Sequence, residues 1–253
     1  MDVVRHVLVI MLAACGRIAI DPLANEDSAV PADTAQPCES TVTDGLIGWW
    51  KFDESSGATV IDSAAGNDGT MIGGTSRVDG AVAFDGVDSQ LAISGSVAYA
   101  TVNQPFSVSV RLFISDWLND VPDFFQMRSD SGSPLHFLSS SDPNWLGLSA
   151  GSSSTWLPTR TNVVPSTGMW HHGVLVYMGA NPSELASFAF YLDGVVQPHD
   201  VASGYGGQTQ ESLFGAAAPT SVRNRLRGML DDMRIYGRVL SATEIAELAA
   251  CRP

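Results

Sequence analysis

Hydrophobic and polar positions alternate with a period of two along much of this chain, and that period predicts strands. The run GLIGWWKFDE opens the pattern: Leu46, Gly48, Trp50 and Phe52 share one parity, and Ile47, Trp49, Lys51 and Asp53 the other. Shorter runs follow at Ala81–Phe84 and Gln90–Ile93, then a longer one, FSVSVRLFI, at Phe106–Ile114. The middle is rich in loops, with short strands expected near Phe124–Met127, Leu135–Leu138 and Trp145–Ser149. Clear alternation returns at His171–Met178, at Ser187–Gln197 and at Gly228–Tyr236. Within the second of these, Asp193-Gly194 sets a hairpin turn. Breakers at Gly57, Gly66, Asp68-Gly69 and Gly73-Gly74 mark further turns. One segment changes period: in LSATEIAELA, Ser241 and Glu244 have capping-box spacing and predict a helix of about two turns. Many short strands separated by turn signals, with almost no helix, predict an all-β sandwich.

Composition sharpens this picture. With 253 residues, 45% hydrophobic and 16% charged, the chain is long enough to bury a core without metal or disulfide staples. Its 27 acidic residues against 13 basic ones give a net charge of -14. That balance repels phosphate backbones and excludes nucleic acid as a partner, while leaving carboxylates free for a hard cation such as Ca²⁺.

The first residues, MDVVRHVLVIMLAACG, place Arg5 and His6 before an apolar run from Val7 to Ala14. The run is too short to span a bilayer and has the form of a secretory signal. Leu12-Ala13-Ala14-Cys15 resembles the bacterial lipobox, which implies a lipidated Cys15 and attachment to a bilayer through that anchor alone. Gly16, standing where Asp would favour the inner membrane, implies the outer membrane by resemblance to enterobacterial sorting. The expected organisation is a signal over 1–14, the lipidated cysteine and an acidic Pro/Ala-rich linker over 15–43, and one domain over 44–253. The linker lacks the apolar content to fold alone and serves as a spacer. Cys38 and Cys251 flank the domain; in an oxidising compartment they read as a disulfide, the alternative being two free surface thiols.

Seven pieces, in this order, resemble the laminin-G-like branch of the concanavalin A-like lectin/glucanase superfamily. They are WWKFDESSG (Trp49–Gly57), IDSAAGNDGT (Ile61–Thr70), GAVAFDGVDSQLAI (Gly80–Ile93) and PFSVSVRLF (Pro105–Phe113), then MWHHGVLVY (Met169–Tyr177), FYLDGVV (Phe190–Val196) and LDDMRIYGRVLSATEIAEL (Leu230–Leu248). The resemblance covers nearly everything from Asp44 to Arg252. It implies a jelly roll of two curved antiparallel sheets, a structural Ca²⁺, and a carbohydrate- or protein-binding role. One position departs from the pattern: where the family often has Trp as the seventh residue of the strand beginning Pro-Phe, this chain has Arg111.

Candidate chemistry follows from side-chain parity. Asp231 shares parity with Met233 and Ile235, which should face the core, and a carboxylate there is costly unless hydrogen-bonded or metal-bound. The resemblance puts the last strand beside the first, where Asp53 ends the run WWKFD. Asp53 and Asp231, with loop carbonyls, are the expected Ca²⁺ ligands; the alternative is an Asp capping a backbone turn for Asp231 and a turn-forming or solvated carboxylate for Asp53. For Asp62, Asn67, Asp85 and Asp88, Asx turns are the default. His171 and His172 are expected to pack or hydrogen-bond near the sheet edge, and no nucleophile elbow accompanies them. A retaining glucanase needs paired carboxylates about 5 Å apart, and no Glu-x-Asp-x-x-Glu stretch occurs, so no enzyme is expected. Trp117, Trp145 and Trp156 lie in Ser/Asp/Gly-rich segments and are candidates for stacking on a ligand, with core packing the alternative. The expected function is a non-catalytic surface domain that binds a glycan, or alternatively a surface protein or a structural role in the envelope.

Overall fold

Phe106, Val108, Val110, Leu112 and Ile114 face one way from a nine-residue strand, Ser107, Ser109, Arg111 and Phe113 the other, and all nine are buried. Such a strand must be covered on both faces. The architecture shows by what. The computed structural model describes residues 41–93, 98–100, 104–116, 123–129, 134–139, 149–150, 159–161, 163–181, 184–201, 213–214 and 226–251. In chain order the first strands are β1 (Leu46–Trp50), β2 (Thr59–Val60), β3 (Gly69–Ile72), β4 (Ser76–Val78), β5 (Ala81–Asp85) and β6 (Gln90–Ile93). Next come β7 (Ala98–Ala100), β8 (Phe106–Ile114), β9 (Asp123–Ser129), β10 (Pro134–Ser139), β11 (Ser149–Ala150) and β12 (Thr159–Thr161). The last are β13 (Trp170–Tyr177), β14 (Phe188–Leu192), β15 (Val195–Gln197), β16 (His199–Val201), β17 (Leu213–Phe214) and β18 (Arg227–Tyr236), followed by helix α1 (Ala242–Ala250).

These strands form two sheets, neither closed on itself. The first runs β15-β14-β13-β8-β18 and then divides: residues Arg227–Leu230 of β18 pair with β5, and Met233–Tyr236 pair with β1. β4 lies beyond β5. The second runs β16-β12-β11-β10-β9-β17-β6-β3-β2, with β7 parallel to β9. Between the sheets lies the main core, in which the inward residues of β8 meet Trp50, Phe52, Val60, Phe84, Leu91, Ile93, Tyr177 and Phe190. The expected all-β sandwich is what the chain forms.

Two irregularities overturn the simple parities. In β18 the register against β8 shifts between Asp231 and Arg234, with Asp232 at a φ of 44°. Leu230, Met233 and Ile235 therefore all join the inter-sheet core, while Asp231 stands opposite Arg111 on the outer face. The expectation that Asp231 points inward with Met233 and Ile235 is thus corrected by a bulge. A second shift, between Leu46 and Gly48, sends Ile47 toward the main core and Leu46 toward the outer cluster.

The outer face of the first sheet is closed by α1. Ile245 and Leu248 of the helix bury Val174, Val176, Ala189 and Tyr236, with Val42 and Leu240 completing the cluster. Ser241 and Glu244 make the capping box their spacing predicts: each satisfies the other's backbone N–H. At the far end, Arg111 Nη2 donates to Leu248 O at 2.8 Å, a cation against the helix's free carbonyls. The departure at position 111 thus has a structural use. No helix of the described residues is long and apolar enough to cross a membrane, which leaves β-barrels unaddressed.

The expected Cys38–Cys251 disulfide has only one of its cysteines among the described residues. Cys251, the C-cap of α1 with its N–H on Glu247 O at 3.3 Å, is disulfide-bonded, whereas Cys38 lies outside the described residues, as does Cys15, and no Sγ–Sγ pair joins two described residues. Hydrogen bonds from Thr41 to Glu247 also tie the incoming chain to α1.

Candidate functional site

Trp117, Trp145 and Trp156 lie outside the described residues. Of the two expected calcium ligands, Asp53 is exposed just after Phe52, a buried residue at a φ of 64°. Asp231 is buried, and one of its carboxylate oxygens accepts the amide of Asp232 at 2.8 Å. Two carboxylates alone fall short of the six to eight oxygens Ca²⁺ takes. Among the described residues no group of three or more His, Cys, Asp or Glu stands ready for a metal ion.

The other acidic positions are occupied with backbone. Asp62 accepts the amides of Trp49 (2.8 Å), Ala64 (2.9 Å), Asn67 (3.0 Å) and Ala65 (3.3 Å), which pins the turn after β2 against β1. Burial pushes its pKa up, but those four donors together outweigh it and hold the carboxyl below the usual range. Asp85 is treated the same way by Ser89 Oγ and the amides of Val87, Asp88 and Ser89. Both behave as the Asx-type turns their sequence context predicts.

The outer face also carries a polar cluster. Asp232 Oδ1 accepts Trp49 Nε1 at 2.7 Å and Arg234 Nε at 2.8 Å. The Arg234 guanidinium lies 4.5 Å from the Trp49 ring, and Lys51 Nζ lies 4.4 Å from it. Arg234 is fully buried, with Nη1 and Nη2 lacking a hydrogen-bond acceptor. His172 places Nε2 2.8 Å from Ser109 Oγ. Burial, and then the charges of Arg111 and Arg234, push its pKa down to about 3, so it is neutral at pH 7. Arg234 and His172 are buried within this cluster, while Trp49 is half-buried and Lys51 exposed.

Sequence reasoning missed one constellation. Ser166 Oγ lies 2.9 Å from His171 Nε2, and His171 Nδ1 lies 2.7 Å from Asp193 Oδ2. The order of groups is that of a hydrolase triad, but the setting is not. Ser166 sits on an exposed irregular segment before β13, not on a strained strand-to-helix elbow. Asp193 uses its other oxygen to accept the His172 amide at 2.8 Å, and its own N–H returns to His172 O at 2.8 Å. What the arrangement does is pin the β14–β15 turn, where Asp193 has a φ of 51°, onto the start of β13. The visible signals were the Asp193-Gly194 turn and the paired histidines. Their meeting depends on the pairing of β13 with β14, which spacing does not reveal.

A family model described as the concanavalin A-like lectin/glucanases superfamily matches residues 85–246. Among solved structures, domain 4 of AbnA, a GH43 extracellular arabinanase from Geobacillus stearothermophilus, is in complex with arabinotriose. It is 22% identical with a TM-score of 0.59, covering 81% of this chain and 98% of that one. A Trypanosoma rangeli sialidase in complex with sialic acid is 16% identical with a TM-score of 0.60, over 87% of this chain and 36% of that one. The botulinum neurotoxin type G receptor binding domain is 14% identical with a TM-score of 0.50, over 81% and 51%. At these identities the likeness is one of fold, and this chain spans 32% to 37% of the sialidase chains it matches. No curated protein matches the chain.

Proposed function

This chain belongs to the concanavalin A-like lectin/glucanase superfamily, and we propose that it is a non-catalytic binding module whose ligand is a glycan. The observation that carries the reading is the match, over 98% of its length, to an arabinanase domain held in complex with arabinotriose. Helix α1 and Val42 cover the outer side of the first sheet over Val174, Val176, Ala189 and Tyr236. The second sheet and the loops between strands are therefore the proposed face for the ligand. Trp117, Trp145 and Trp156 fall in sequence between β8 and β12 and are proposed to supply the rings on which a sugar's apolar face stacks.

A glycan array probed with the whole chain, with Ca²⁺ and again with chelator, tests this. Saturable binding that is lost in Trp145→Ala or Trp156→Ala supports the reading; no binding to any glycan in either buffer overturns it. A protein partner is the second reading, favoured by Val195 and Val196. They are 62% and 59% exposed on the edge strand β15, and open edges recruit other strands.

Two further parts of the reading rest on the sequence. The lipobox-like Leu12–Cys15 supports display from a bacterial outer membrane through lipid on Cys15. Cys15→Ala should then move the protein from the detergent phase to the aqueous phase in a partition experiment. Asp53 and Asp231, joined by backbone carbonyls, are proposed to hold a structural Ca²⁺.

A further inference from the structure

The five residues before β1 form no strand, yet they are held from several sides. Thr41 N and Oγ1 donate to Glu247 Oε1 at 3.2 and 3.0 Å. Val42 is buried against Ile245, Leu248 and Leu240, and its carbonyl accepts Tyr236 Oη–H at 2.9 Å. Asp44 O accepts Arg238 Nε at 2.9 Å, and the Asp44 carboxylate lies 3.3 Å from the same nitrogen. Gly45 O accepts the Gly237 amide at 2.8 Å. Gly45 has a φ of 71°, and the Arg238 side chain lies 3.0 Å from where a Cβ would stand.

Every partner in this set comes from residues 236–248, about 200 positions away along the chain. Arg238 is the shared element. While gripping Asp44, it donates Nη2 to Glu244 Oε1 at 2.6 Å and Nη1 to Glu244 Oε2 at 3.1 Å. Glu244 is in turn half of the capping box that starts α1. Dependence runs both ways. A nine-residue helix is marginal alone and draws its stability from the face it buries, part of which is Val42. The segment 41–45, having no ladder of its own, draws its order from the helix.

We propose that residues 41–46, Arg238 and α1 form one cooperative strap, which orders as a unit and releases as a unit. Tension on the chain upstream of Thr41 is then resisted at this strap, beside the last strand, before it reaches β8 or β13. The strap is a property of the folded domain and holds with or without lipid at Cys15, and with or without a glycan ligand.

Hydrogen exchange of the full chain, followed segment by segment, tests the reciprocity. Val42→Asp should speed exchange of the α1 amides about tenfold, and Ile245→Asp should speed exchange of the 42–46 amides about tenfold, with β8 and β13 unchanged. A milder pair, Glu247→Ala and Tyr236→Phe, covers the case in which the Asp variants do not fold; each should loosen both segments about twofold or more. The proposal is overturned if a variant loosens its own segment alone, if neither segment responds, or if β8 and β13 loosen to the same degree.

Discussion

His172 carries a pH dependence that can be worked out from its surroundings. In the unfolded chain it takes a proton near pH 6.5, whereas in the fold burial and the two arginines delay protonation to about pH 3. Between those values the unfolded state binds the extra proton, so stability is full above pH 6.5 and falls as pH drops toward 3. The full effect is on the order of a few kcal/mol. Melting temperature against pH should slope down through that window, and His172→Gln should flatten the slope. Glu244 acts lower on the scale: hydrogen bonds from Arg238, opposed by burial and aided by Ser241, hold it at about 2 against an ordinary 4.5. Its contribution is present above pH 4.5 and lost as pH falls toward 2, so Glu244→Gln should lower stability above pH 4.5 and flatten the fall between 4.5 and 2. How much of this was legible differs residue by residue. The Ser241–Glu244 capping box and the Asp62 and Asp85 turns could be read because their partners lie within a few positions. The facing of Asp231, and the Ser166–His171–Asp193 contact, depend on a bulge and a strand pairing that no local pattern encodes.

Among the elements, β18 is the most constrained. It serves β8 along one side and two end-to-end strands along the other, and its chain passes β8 so closely that a Cβ at Gly228 would stand 2.0 Å from Phe113 O. Because that obstacle is backbone, Gly228→Ala should cost at least about 2 kcal/mol, measured as a lowered denaturant midpoint with an unchanged m-value. Long strands such as β8, β13 and β18 announced themselves through five or more alternating positions. β2, β3 and β4 did not, since two to four residues are too few for a period to appear. Arg111 looked like a mere departure because its purpose, closing the C-terminus of α1, belongs to an element some 130 residues later.

For the whole molecule, the sandwich itself was legible, because a chain rich in short strands and turns has few other ways to bury its apolar faces. The division of labour between the faces was not, since it turns on where one short helix docks. If Asp53 and Asp231 hold Ca²⁺ as proposed, 1 mM or so of the ion should raise the melting temperature by about 2–4 °C over a chelated sample, in proportion to roughly 1 kcal/mol of binding free energy. No shift would remove the metal. The placement of β18 also has a consequence in time. Centred in the first sheet and bridging β8, β5 and β1, the stretch Arg227–Tyr236 leaves the ribosome after every other described strand. Until it arrives, β1 and the β4–β5 pair have no link to β8, and the first sheet stays in three unlinked parts. The first sheet of a nascent chain of this design remains open until every other described strand has been made. That is the condition in which a polypeptide can still be threaded across a membrane.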